Sequence, residues 1–261
     1  AMKVLLLLLV LGLGVSVNSD VSRQKRIIEG DDCDDEERLY HVRLWNIKGK
    51  EKWRCGASLI HPQWILTAAH CWRSAPGWTH VAKLKVHPRS AGQQSQKILH
   101  KPVIYTRRRK KHDIMLLKLR RPVTDVQPAQ LPDCSYHLRI GDDVQLAGEG
   151  GTTIGPNYQR ITKTPLPPHL QCVDMNVDAV SHFMPTQKET FPGWTSLHSW
   201  LSLIRNDEHA VSKGDSGGAA VYSGMIYGVI SLTGKVPCQK SAVIMDVCKY
   251  MSWIKRTTGL K

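Results

Sequence analysis

A serine set among glycines, Lys213-Gly214-Asp215-Ser216-Gly217-Gly218, and a histidine beside a cysteine far upstream, Thr67-Ala68-Ala69-His70-Cys71, constrain this chain more than any other feature. Between them stands Asp113, in His112-Asp113-Ile114-Met115-Leu116-Leu117. A serine hydroxyl attacks a carbonyl well only when a base takes its proton and a buried carboxylate holds that base in the right tautomer. All three parts are present, in the order His, Asp, Ser. They lie in distant segments, so a fold that uses them must bring those segments to one place.

The coarse pattern is all-β. Tyr40-His41-Val42-Arg43-Leu44 alternates apolar and polar residues, which predicts a half-buried strand. Val221-Tyr222 and Met225-Ile226-Tyr227 flank Ser223-Gly224, a tight-hairpin signal. Only the end differs: Val247, Tyr250, Met251 and Ile254 fall at helical spacing. Short strands with Gly- and Pro-bearing loops predict barrels or a sandwich closed by this helix.

Local context sharpens the reading. Cys55-Gly56-Ala57-Ser58-Leu59-Ile60, Trp64-Ile65-Leu66-Thr67-Ala68-Ala69-His70-Cys71, Asp113 to Leu119 and Gly214 to Gly218 together resemble trypsin-like serine proteases of the chymotrypsin family. The order of the three residues is the one found in that family. The resemblance runs from Ile27 to the C-terminus. It implies two six-stranded antiparallel β-barrels with a C-terminal helix and a cleft between the barrels. The expected extents are about 27–130, 131–245 and 246–258 within a protease domain of 27–261.

The resemblance implies Ser216 as nucleophile, His70 as general base and then acid, and Asp113 as the group orienting the imidazole. Ser231 matches a serine that hydrogen-bonds this aspartate. The amide hydrogens of Gly214 and Ser216 match an oxyanion hole, where charge develops in the transition state. The expected activity is therefore that of a serine endopeptidase acting on proteins or peptides through an acyl-enzyme. No cofactor or metal is expected, because Lys83 to Gln96 lacks the carboxylates of a calcium loop.

The N-terminal segment fits a secreted zymogen. After Lys3, Val4 to Val15 carries no charge, which reads as a signal peptide over 1–19, too short to span a bilayer. No later run is long and apolar enough to span one. The expected location is extracellular or a secretory granule. Residues 20–26 read as a propeptide ending Gln24-Lys25-Arg26, followed by Ile27-Ile28-Glu29-Gly30. In the family, cleavage at this point frees an ammonium, here on Ile27, which pairs with the carboxylate beside the nucleophile, here Asp215. An activating protease and protein inhibitors are the partners this implies.

Seven cysteines in a secreted chain leave one over. Family positions imply Cys55–Cys71, Cys33–Cys172 and Cys134–Cys248. Cys238 is left as an unpaired thiol, or as an intermolecular link.

The substrate pocket departs from trypsin. Ala210 stands where trypsin-like enzymes carry an aspartate, followed by Val211, and Thr233 and Ala242 fall near the pocket walls. Such a pocket resembles that of elastase-like or granule proteases and favours small or medium apolar residues. Asp207 and Glu208 lie just upstream, where a displaced acid could still reach it. Lys110 should border the second subsite and Lys213 the pocket mouth. Leu232 and Glu149 replace family tryptophans.

The chain carries 36 Lys and Arg against 22 Asp and Glu. Removing residues 1–26 leaves 32 against 21, a net +11. Clusters at Lys48 to Arg54, Lys83 to Arg89 and Arg107 to Lys111 attract sulfated glycans, acidic substrates or other polyanions. No nucleic-acid fold signature accompanies them. The alternative function is a catalytically impaired protease homologue that binds polyanions through this basic face.

Overall fold

The computed structural model describes residues 30–150, 166–181, 201–205, 214–232 and 242–261. The signal-peptide and propeptide expectations for residues 1–26 lie outside them. Its strands are, in chain order, β1 (Asp31–Asp32), β2 (His41–Lys48), β3 (Glu51–His61), β4 (Trp64–Thr67), β5 (Thr79–Leu84), β6 (Gln94–Lys97) and β7 (Val103–Arg107). They continue as β8 (Lys110–Lys118), β9 (Asp143–Gly148), β10 (Gln171–Ser181), β11 (Leu201–Arg205), β12 (Ala219–Tyr222), β13 (Met225–Leu232) and β14 (Ala242–Asp246). A 3-10 turn over Val247–Tyr250 leads into helix α1 (Met251–Thr258).

Tight turns make sequential strands antiparallel neighbours. β12 turns into β13 through Ser223 and Gly224, both at positive φ (48° and 77°), with Tyr222 opposite Met225. Two positive-φ residues give the turn whose twist matches the strands it joins. β7 turns into β8 the same way through Arg108 and Arg109 (φ 48° and 62°), with Arg107 opposite Lys110.

Two curled sheets result. The first has the order β6-β5-β2-β3-β4-β8-β7. The second has the order β1-β10-β11-β14-β13-β12-β9, and β9 also pairs with β10. The six strands β9 to β14 therefore close on themselves, and β1 adds beside β10.

The expected pair of curled antiparallel sheets with a C-terminal helix is thus present, and each sheet also carries an edge strand, β6 in the first and β1 in the second, that the sequence did not announce. Asp31–Asp32 is exposed, and the Gln-Ser-Gln-Lys of β6 is almost wholly so. Both pair mainly through backbone, with Gln171 Nε2 donating to Asp32 Oδ1 at 2.6 Å across β1 and β10, and neither carries an apolar alternation to announce it. β1 lies early in the chain but pairs with a late strand. It belongs to the second sheet, where Asp31 pairs with Cys172. The Cys33–Cys172 disulfide holds it there.

The core lies within and between the sheets. Leu44, Leu59, Ile65, Leu66 and Ile114 to Leu117 fill the first. Val144, Leu146, Met175, Tyr227 and Ile244 fill the second. Strands β12 to β14 are buried on both faces, with alternate residues serving different cores. Ala219, Val221, Val229, Val243 and Met245 pack with the first cluster, whereas Ala220, Ile230, Ala242 and Ile244 pack with the second. Each buried Val, Leu, Ile or Met contributes about 1.5–3 kcal/mol by leaving water. These strands thus join the halves with the same apolar material that fills them. Tyr250, Met251 and Ile254 carry the C-terminal segment onto the first core. There the Tyr250 hydroxyl hydrogen-bonds His112 Nδ1 at 2.9 Å, one residue from Asp113.

β2 corrects the half-buried expectation. His41, Val42, Arg43 and Leu44 are all buried. The polar positions of the alternation face the other half of the molecule rather than solvent, and Arg43 meets Glu149 there.

Candidate active site

The site begins where β4 ends. Thr67 Oγ1 donates to Gly56 O at 2.7 Å, and the chain enters a 3-10 turn, Ala69–Cys71, that carries His70. The Cys55–Cys71 disulfide staples this turn to β3. Asp113 lies on β8, which pairs with β4 through Thr67 and Met115. Backbone pairing of β4 with β8 therefore sets the spacing of the histidine and the aspartate.

Both oxygens of Asp113 are engaged. Oδ1 accepts from the His70 amide at 2.8 Å. Oδ2 lies 2.8 Å from His70 Nδ1 and also accepts from Ser231 Oγ at 2.5 Å. The carboxylate is nearly buried, while the imidazole keeps part of its surface open. The arrangement suits a carboxylate that holds Nδ1 protonated and turns Nε2 to the role of proton acceptor.

Ser216 sits in a loop held by its backbone. Gly56 N donates to Ser216 O at 2.8 Å, Gly217 N to Ile230 O at 2.7 Å, and Gly218 N to Asp215 O at 2.9 Å. The Cys71 sulfur lies 3.6 Å from Ser216 O and 3.9 Å from His70 Nε2, so one disulfide touches both segments. Glycine is required at two of these positions. Gly217 has φ 84°, and a Cβ there would sit 2.1 Å from Thr67 Oγ1 and 2.3 Å from Gly56 O. Gly214 has φ 110°, and a Cβ there would sit 2.8 Å from Arg54 Nε.

Asp215 is fully buried and accepts from Gly150 N at 2.6 Å. Burial lowers the pKa of the half-buried Arg54 below its ordinary value, against the opposing charges of Asp215 and Glu149. Next along the chain is a buried ionic cluster. Arg43 donates to both oxygens of Glu149 at 2.5 Å, and Arg89 lies 2.9 Å from Oε1. Burial pushes the Glu149 carboxyl up, but the Arg43 hydrogen bonds and the neighbouring cations hold it below the usual carboxylate range. Two bonded cations make its burial tolerable.

Several expected site residues fall outside the described residues: Arg26, Ile27, Ala210, Val211, Lys213, Thr233 and the seventh cysteine, Cys238. So do Asp207 and Glu208. Ala242 is buried on β14, opposite Ile204. Lys110 opens β8 at the half-exposed base of the Arg108-Arg109 turn. Among the described residues the disulfides are Cys33–Cys172, Cys55–Cys71 and Cys134–Cys248. Among the described residues two groups have metal-like proximity, Cys55 with His70 and Cys71, and His137 with Asp246 and Cys248. Their cysteines are oxidised in these disulfides and offer no thiolate. The sequence reading missed the Arg43–Glu149–Arg89 cluster. Its one signal was an acid in place of a tryptophan at position 149.

The family model described as Trypsin matches residues 27–254. The chain is 30% identical to Kallikrein-15 of Saguinus oedipus, over 95% of this chain and 98% of that protein. It is 31% identical to Trypsin-4 of Rattus norvegicus, over 94% and 95%. Among solved structures, that titled "Structure of GrC" superposes with a TM-score of 0.69 at 26% identity, covering 89% of this chain and 100% of that one. Mouse neuropsin superposes with a TM-score of 0.64 over 88% and 98%; at 24% identity this likeness concerns the fold.

Proposed function

The chain belongs to the trypsin family of serine proteases, and we propose that it hydrolyses peptide bonds through Ser216, His70 and Asp113. The observation that carries this reading is the 2.8 Å contact between His70 Nδ1 and Asp113 Oδ2, with Ser231 as second donor to the same oxygen. His70 Nε2 takes the proton from Ser216 Oγ as that oxygen attacks the substrate carbonyl. Asp113 stabilises the imidazolium that forms. The amides of Gly214 and Ser216 receive the developing oxyanion. His70 then gives its proton to the leaving amine, an ester remains on Ser216, and a water repeats the sequence to release the acid.

The same proposal includes secretion as a zymogen activated between Arg26 and Ile27, with Asp215 receiving the new ammonium. It extends to a domain over 27–261 divided near residue 130. Among the described residues no helix is long and apolar enough to cross a membrane. The pocket reading favours small or medium apolar residues at the cleaved position, since Ala210 and Ala242 offer no anion to a lysine or arginine. An unpaired buried cation costs several kcal/mol, enough to discriminate about a thousandfold. Polyanions are proposed partners of the exposed Arg107 to Arg109 tip. A serine-directed phosphonate tests the mechanism: it should label the cleaved wild type and spare a folded Ser216→Ala variant. Labelling of that variant, or wild-type peptidase activity in it, refutes the assignment. Profiling against a peptide library tests the pocket, and dominant cleavage after Arg or Lys overturns it.

A further inference from the structure

Next to the turn that carries His70 lies a groove of about 710 Å³. One wall is the segment from Trp72 to His80 and the other runs from Ile98 to Pro102, with Lys111 at the edge. Trp72 N donates to Ala69 O at 3.1 Å, so the near wall is anchored to the histidine turn itself.

The lining has one sign of charge. Arg73, Lys101 and Lys111 border it, and among the described residues that line it none is an aspartate or glutamate. No ion pair engages these three cations among the described residues. Arg73 instead lies 4.7 Å over the ring of the exposed Trp53, a contact that fixes its place and keeps its charge. The near wall is aromatic and stiff: Trp72 stacks on His80 with ring centroids 3.6 Å apart and planes at 9°. Trp78 supplies a second indole. The far wall offers apolar surface beside its Lys101, with Leu99 65% exposed and Pro102 and Ile104 nearby.

We propose that this groove is an auxiliary binding site for an acidic segment of a protein substrate, one that interleaves carboxylates with apolar side chains. The cations receive the carboxylates, and the indoles and Leu99 receive the apolar groups. The volume lies within the range of ligand sites and takes several side chains at once. A sulfated glycan would satisfy the cations but has no side chains for Leu99 and Ile104. A polypeptide held at His70 is also delivered to this wall directly. Naming the occupant as substrate rests on the protease reading; the binding itself does not.

The test uses the full chain carrying Ser216→Ala, so that no probe is cleaved. The probe is a fluorescein-labelled peptide of about ten residues alternating glutamate and leucine, up to ~35 Å when extended. Anisotropy should report binding that weakens as salt is raised. Lys101→Glu with Lys111→Glu should weaken it by about tenfold or more. Trp78→Ala should weaken it too. Arg108→Glu with Arg109→Glu, at the hairpin tip outside the groove, should change it by less than about twofold. These residues lie at the surface, and unchanged melting temperatures would exclude unfolding. Equal binding by the groove variants overturns the proposal. Equal loss from tip and groove variants overturns it in favour of a diffuse field. A sulfated hexasaccharide that displaces the peptide, binds more tightly and needs the same residues overturns the occupant. Loss of catalysis in an otherwise wild-type chain touches only the protease reading, because the anisotropy needs no turnover.

Discussion

Acid should loosen this protein through one buried histidine. His41 is 2% exposed on β2. Its ring lies behind Gly56, the residue whose amide holds Ser216 O. Burial lowers its pKa from the ordinary 6.5 to about 4; Glu149 opposes the shift, while Arg43, His87 and Arg89 add to it. In the unfolded chain His41 takes a proton near its ordinary value, and in the folded chain it does not until about pH 4. The unfolded state then binds more protons across this window, so stability falls as pH falls through it. At about 1.4 kcal/mol per pH unit, the loss approaches ~3 kcal/mol by the bottom of the window. Glu149 acts lower down. Its folded pKa is depressed, so its contribution is complete above the ordinary carboxylate value and is lost only as pH falls below it. Urea unfolding at a series of pH values between about 7 and 4.5 reads the His41 effect as a falling midpoint. His41→Gln removes the titration, so its stability should be flatter over that window by about 2–3 kcal/mol. Parallel wild-type and variant curves would refute the reasoning and show that His41 accepts a proton in place.

Three further outcomes follow from the same geometry. Glu149→Gln leaves Arg43 and Arg89 without their anion and should cost about 3–5 kcal/mol in urea unfolding; a loss under about 1 kcal/mol contradicts the buried cluster. Ser231→Ala removes one donor to Asp113 Oδ2 and should lower kcat about tenfold or more with KM little changed, whereas an effect on KM alone points to a pocket role instead. Gly217→Ala drives a Cβ to within 2.1 Å of Thr67 Oγ1 at φ 84° and should cost more than about 3 kcal/mol and abolish phosphonate labelling; a stable, labelled variant refutes the packing described for the Ser216 loop.

What was legible in the sequence was what local chemistry encodes. His70 beside Cys71, Asp113 before an apolar run, Ser216 among glycines and the helical spacing of Val247, Tyr250, Met251 and Ile254 each carry their signal within a few residues. The Ser223-Gly224 turn does too, because only certain residues tolerate two successive positive φ angles. Tertiary structure alone decided what depends on distant neighbours. β1 and β6 pair through backbone, which leaves no pattern in side chains. Arg43 looked like the solvent face of an alternating strand, because alternation records two faces and not what covers them. Its burial became tolerable only when Glu149, 106 residues away, came to meet it. The groove beside His70 likewise joins Trp72 and Lys101, on two separate loops, to Lys111 on β8. Its single sign of charge exists only once those segments lie side by side.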